Sequence, residues 1–140
     1  MTSMQVVFIC VGNTCRSQMA EAIFNHFAPQ GCQAVSAGSS PGSQVHPLAV
    51  KALLELDIDH SMAYPKGLTE DMIVQADKIV AMCSESEVCP LLPQGKIISY
   101  WRIPDPYSPV DDAYMPCYCQ ARDQIKKRVL QLIKELKAGA

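Results

Sequence analysis

Near its start the chain runs from a short apolar stretch, Val6-Val7-Phe8-Ile9, straight into Cys10-Val11-Gly12-Asn13-Thr14-Cys15-Arg16, and from Ser17 apolar residues recur at helical spacing. A short continuous apolar run suits a strand buried on both faces of a parallel sheet. Met19, Ala20, Ile23, Phe24 and Phe27 then form one helix face, with Ser17 as the expected N-cap. Strand, tight loop and helix in that order call for a right-handed crossover to a parallel neighbour.

The rest of the chain supplies those neighbours. Residues 33–36, 78–82 and 96–100 read as strands. Helices are expected from Pro47 (apolar face Leu48, Val50, Leu53, Leu54), from Thr69 (Met72, Ile73, Ala76) and over 115–137 (Ile125, Val129, Leu132, Ile133, Leu136). His46 precedes Pro47 and reads as a cap, while His26 and His60 read as surface residues. The Pro-rich segment 103–107 is irregular. With no repeat or linker in view, residues 1–140 read as one α/β domain, a small doubly wound four-stranded parallel sheet with helices on both faces. Ligands of such sheets bind at the carboxyl ends of the strands. Cys10, Cys83 and Asp105 each follow a strand, so all three are expected at that one edge.

The loop after the first strand has the makings of an anion site. Backbone N–H groups and the helix dipole favour negative charge there. Gly12 and Asn13 tolerate left-handed backbone, and the Arg16 fork matches a tetrahedral oxyanion two oxygens at a time. The same field favours the thiolate of Cys10. Val11, Gly12, Asn13, Thr14, Cys15, Arg16 and Ser17 are therefore the expected oxyanion-binding residues. The G-x-x-x-x-G-K-[ST] nucleotide loop is absent, since Gly12 stands alone.

Charge excludes other classes. Twelve basic and 14 acidic residues give a net charge of −2, which argues against nucleic-acid or anionic-membrane binding. No apolar run is long enough to span a bilayer and no secretory signal precedes the first strand, so a cytoplasmic protein is expected. Seven cysteines, an odd number, argue against a secreted disulfide framework. A redox sensor or a structural metal module would use thiols, but neither needs Arg16 or Asp105. Cys32 reads as packing, and Cys117-Tyr118-Cys119 is weak evidence for zinc.

Cys10-Val-Gly-Asn-Thr-Cys-Arg-Ser17, together with Asp105-Pro106, resembles the low-molecular-weight protein tyrosine phosphatase superfamily over essentially the whole chain. The resemblance implies a flavodoxin-like sheet, with Cys10 as nucleophile, Arg16 binding the oxyanion, Ser17 stabilising the thiolate and Asp105 as general acid. Three features resemble the thioredoxin-coupled arsenate reductases of that superfamily. These are Arg16-Ser17-Gln18-Met19-Ala20-Glu21, where phosphatases usually carry Pro in place of Gln18, then 76–83 ending on Cys83, and Cys89-Pro90. The resemblance implies a disulfide relay from Cys10 to Cys83 to Cys89, reduced by thioredoxin, in a monomer that binds no cofactor. The alternative is a phosphatase working through a phosphocysteine intermediate. Asp105-Pro106-Tyr107 resembles that class, and Tyr107 and Trp101 either flank an aromatic substrate or lie partly buried under a loop. Cys15 either protects the nucleophile by pairing with it or packs under the loop. Relatives that bind potassium use Asn, Glu, Ser and Asp. Asn13, Glu21 and Ser36 match the first three, but no Asp stands near Tyr64-Pro65, which argues against a potassium site.

Overall fold

The computed structural model describes residues 4–82, 98–104, 106 and 115–138. The expected site residues Cys83, Cys89 and Asp105, and Tyr107, lie outside the described residues. Four strands, β1 (Met4–Cys10), β2 (Cys32–Gly38), β3 (Lys78–Ala81) and β4 (Ile98–Tyr100), form one sheet in the order β2-β1-β3-β4, and every pairing is parallel. Among the described residues four helices accompany them: α1 (Arg16–Phe27), α2 (Pro47–Leu54), α3 (Glu70–Gln75) and α4 (Met115–Ala138).

The central strand shows why the apolar run is continuous. Side chains alternate across a strand, and β1 is covered on both faces. Val6 and Phe8 join the larger core, built with Met19, Ile23 and Phe24 of α1, Leu53 of α2 and Ile125, Val129 and Ile133 of α4. Val7 and Ile9 join a smaller core with Ile73 of α3 and Ile79 of β3. Trp101 belongs to the larger core: its ring lies 5.6 Å from that of Phe8, and only 7% of the residue is exposed. Of the two readings offered for Trp101, the structure supports burial.

Two helix starts follow the sequence. His46 Nδ1 accepts the Leu48 N–H at 3.1 Å ahead of Pro47, and Thr69 Oγ1 accepts that of Met72 at 3.2 Å. Two expectations are corrected. The buried face of α2 is Ala49, Ala52 and Leu53, whereas Leu54 is 58% exposed; the small alanines allow close approach to α4, where Arg122 donates to the Ala52 carbonyl. Ser17 is not the cap of α1. The helix begins at Arg16, Cys15 holds the cap position without a side-chain capping bond, and the Ser17 hydroxyl is engaged elsewhere. Among the described residues no helix is long and apolar enough to cross a membrane.

Candidate active site

The loop between β1 and α1 owes its shape to the segment that follows β2. The carbonyls of Cys10, Val11, Gly12 and Thr14 accept the backbone N–H groups of Ser39, Ser40, Gly42 and His46 at 3.3, 2.9, 2.9 and 2.9 Å. Peptide units are planar, and no cis bond occurs among the described residues. Turning those carbonyls outward therefore turns the following N–H groups inward. The Asn13 N–H obeys this rule and points at Cys10 Sγ, 3.2 Å away. Asn13 takes the left-handed conformation (φ 52°), as its residue type allows. Gly12 does not share it, so the expectation of two left-handed residues is corrected to one.

Gly38, which ends β2, and Gly42, in the strap that follows it, permit this contact. A Cβ on Gly38 would lie 2.5 Å from the Val11 carbonyl oxygen, and one on Gly42 would lie 2.7 Å from Thr14 Cγ2. Gly38→Ala forces the Val11 peptide to move, because backbone cannot yield as a side-chain tip does. It is expected to weaken inorganic phosphate binding at least about tenfold and to lower stability by about 1–3 kcal/mol, read by calorimetric titration and thermal unfolding. Unchanged phosphate affinity would show that the cradle does not depend on the strap.

Donors converge on the Cys10 sulfur. Ser17 Oγ lies 2.8 Å from Sγ and itself accepts Asn13 Nδ2 at 2.7 Å. With Asn13 donating to Ser17, the serine proton is available to the sulfur as acceptor. Gln18, wholly buried, holds Asn13 in turn. Its Nε2 donates to Asn13 Oδ1 at 2.9 Å, to the Asn13 carbonyl at 3.1 Å and to that of Tyr64 at 3.1 Å. The other end of the amide, Oε1, receives His60 Nε2 at 2.7 Å. His60 is thus not a bystander on the surface, as its isolation in sequence suggested. Burial pulls its pKa below the ordinary histidine value, although the Glu21 carboxylate opposes this, and the contact to the Gln18 oxygen requires a proton on Nε2.

Arg16 Nη1 donates to the carbonyls of Met82 at 2.6 Å and Ile103 at 3.1 Å. The guanidinium is thereby anchored where the third and fourth strands end, as the edge rule predicts. Cys83 follows Met82 in the chain, and Asp105 lies two residues beyond Ile103. A cavity of about 370 Å³ opens over the loop, lined by Cys10, Gly12, Arg16, Ser40, His46 and Tyr118 among others. The His46 ring stacks on Tyr118 with centroids 4.8 Å apart, so the residue that caps α2 also walls the cavity. Cys15 is buried, belongs to the larger core and also lines this cavity.

Cys32 and Cys119 are not among the residues that line the cavity. Cys32 packs against the larger core. Cys119 Sγ lies 3.6 Å from Glu55 Oε1, and burial raises its pKa. Among the described residues no cluster of His, Cys, Asp or Glu could hold a metal ion. The residues matching a potassium site do not fit that ion. Asn13 Oδ1 already accepts both Gln18 Nε2 and the Lys66 N–H, the latter at 2.8 Å, and the Lys66 ammonium stands 3.5 Å from Glu21 Oε1.

The profile of the family described as low molecular weight phosphotyrosine protein phosphatase matches residues 5–140. Arsenate reductase 1 of Staphylococcus haemolyticus is 33% identical over 132 residues, spanning 94% of this chain and 96% of that one. The thioredoxin-dependent arsenate reductase of Corynebacterium glutamicum superposes with a TM-score of 0.80 at 32% identity, covering 99% of this chain and 64% of that one. The low molecular weight protein tyrosine phosphatase of T. tengcongensis superposes with a TM-score of 0.84 at 29% identity, covering 95% of this chain and 99% of that one.

Proposed function

The chain belongs to the low molecular weight phosphotyrosine protein phosphatase family, and we propose that within it this protein is an arsenate reductase. The observation that carries the reading is the convergence of the Ser17 hydroxyl and the Asn13 N–H on Cys10 Sγ, at the floor of an anion-shaped loop whose Arg16 is tied to the residue before Cys83. The likeness to arsenate reductases over nearly the full chain supports it.

In this reading Cys10 attacks the arsenic of bound arsenate, a bond from Sγ to arsenic forms, and an oxygen leaves as water. The backbone N–H groups of the loop and the Arg16 guanidinium hold the remaining oxygens. Cys83 thiolate then attacks Cys10 Sγ. The sulfur–arsenic bond breaks, its electron pair stays on arsenic, and arsenite departs, leaving a Cys10–Cys83 disulfide. Cys89 attacks Cys83, frees Cys10 and leaves a Cys83–Cys89 disulfide for a dithiol donor to reduce. We take that donor to be thioredoxin, acting on a cytoplasmic single-domain monomer. Asp105 is the proton donor to a leaving oxygen, a role that aryl phosphate cleavage would share.

A second reading, a phosphatase that forms a phosphocysteine at Cys10, is favoured by Asp105-Pro106-Tyr107 and by the likeness to the T. tengcongensis enzyme. The test is arsenate-dependent NADPH oxidation in the presence of thioredoxin and thioredoxin reductase. Sustained turnover is expected. None, from protein that still cleaves an aryl phosphate, gives the second reading first place.

A further inference from the structure

Two of the potassium-type residues meet a lysine, Asn13 at its backbone N–H and Glu21 at its ammonium. The Lys66 ammonium lies 3.5 Å from Glu21 Oε1, and both side chains are largely sheltered, at 25% and 15% exposed. Ser36 Oγ donates to the same carboxylate oxygen at 3.0 Å. Asn13 Oδ1 has its two donors already. A metal cation added here would meet an ammonium of like charge across one shared carboxylate, and such a pair in a sheltered site is poorly screened.

We propose that Lys66 is a positioning residue for Cys10, supplying from within the chain the positive charge that a bound monovalent cation would otherwise bring. The residue is tied to the cradle at three points. Its N–H donates to Asn13 Oδ1 at 2.8 Å, its carbonyl accepts the Gly38 N–H at 2.8 Å, and its ammonium reaches Glu21 on α1. Two residues earlier, the Tyr64 carbonyl accepts Gln18 Nε2. The ion pair therefore pins the 64–66 segment against the back of the loop. That segment fixes which way the Asn13 amide faces. Asn13 Nδ2 then meets Ser17 Oγ, which meets the Cys10 sulfur. Gly38, held by the same residue, makes the close approach to Val11.

The inference rests on Cys10 being the reacting thiol, which both readings above share, and not on arsenate. Its test is the rate at which iodoacetamide alkylates Cys10 in the full chain at pH 7, followed on the Cys10 peptide by mass spectrometry. Lys66→Ala is expected to slow alkylation about tenfold, as misplacing hydrogen-bond donors to a thiolate would. Lys66→Arg is expected to stay within about twofold of wild type, because it keeps the charge. Potassium chloride, but not choline chloride, should restore most of the rate to Lys66→Ala. Wild type should give one rate, and one thermal midpoint, in potassium, sodium or choline chloride at matched ionic strength.

Alkylation of Lys66→Ala at the wild-type rate would overturn the proposal. So would a loss that neither arginine nor potassium repairs. If Lys66→Ala does not fold, the wild-type salt series decides alone: a midpoint raised by potassium specifically overturns the idea, and indifference to the cation supports it. Failure of the wild type to turn over arsenate would sink the reductase reading and leave these rates as informative as before.

Discussion

Cys10→Ser is expected to abolish arsenate turnover and aryl phosphate cleavage together, each by on the order of 10⁴-fold or more, the scale on which removal of a nucleophile acts. Two hydrogen bonds at 2.8 and 3.2 Å converge on this sulfur. They hold the sulfur in place, and a serine hydroxyl is a far weaker nucleophile than a thiol. Little else should change. The side chain is 3% exposed and the exchange is nearly isosteric, so the thermal midpoint should hold within a few degrees. Anion affinity should also survive, because the cradle's inward N–H groups are fixed by the four carbonyl contacts to residues 39–46 and not by the sulfur. The expected signature is inorganic phosphate binding intact by calorimetry with both turnovers gone. Residual turnover within tenfold of wild type would remove Cys10 from the nucleophile's place.

What could be read from the residue string, and what could not, divides along sequence distance. The cradle is local. A strand, a loop and a helix start lie within a dozen residues, and their chemistry is written in Cys10, Asn13, Arg16 and Ser17. The parallel sheet was equally legible, because Val6 to Ile9 are apolar on both faces. The contacts that make the loop rigid are not local. Gln18 distinguished two classes of relative, but its sequence neighbours give no hint that its amide spans from Asn13 to His60. His60 looked like a surface residue because nothing beside it in the chain is its partner. Lys66 is silent in the sequence for the same reason: its partner Glu21 lies 45 residues away in the chain. Ser17 was misassigned by a correct local rule. Serine is among the residues preferred at an N-cap, and here a sulfur seven residues back claims the hydroxyl.

Cys83→Ser separates the two activities where Cys10→Ser cannot. Arsenate reduction is expected to vanish, while aryl phosphate cleavage stays within about threefold of wild type, the scale of a substitution that leaves the transition state's contacts alone. Phosphate transfer asks only for a nucleophile, an oxyanion site and a proton donor: on this reading Cys10, the loop with Arg16, and Asp105. Reduction asks in addition for a thiolate that attacks Cys10 Sγ and pushes an electron pair onto arsenic. A serine cannot take that place, because no disulfide can form. Arg16 makes the split testable without ambiguity about folding. Its anchor on the third strand is the Met82 backbone carbonyl, which the substitution leaves in the chain, so the guanidinium keeps its partner and the anion site its shape. A second arm sharpens the result. Cys89→Ser keeps the attack on Cys10 but removes the thiol that would free it, so one arsenite per chain should be released when no thioredoxin is supplied. Loss of both activities in Cys83→Ser, to the same degree and with the thermal midpoint unchanged, would mean that residue 83 serves the anion site itself, and the relay would have to be abandoned.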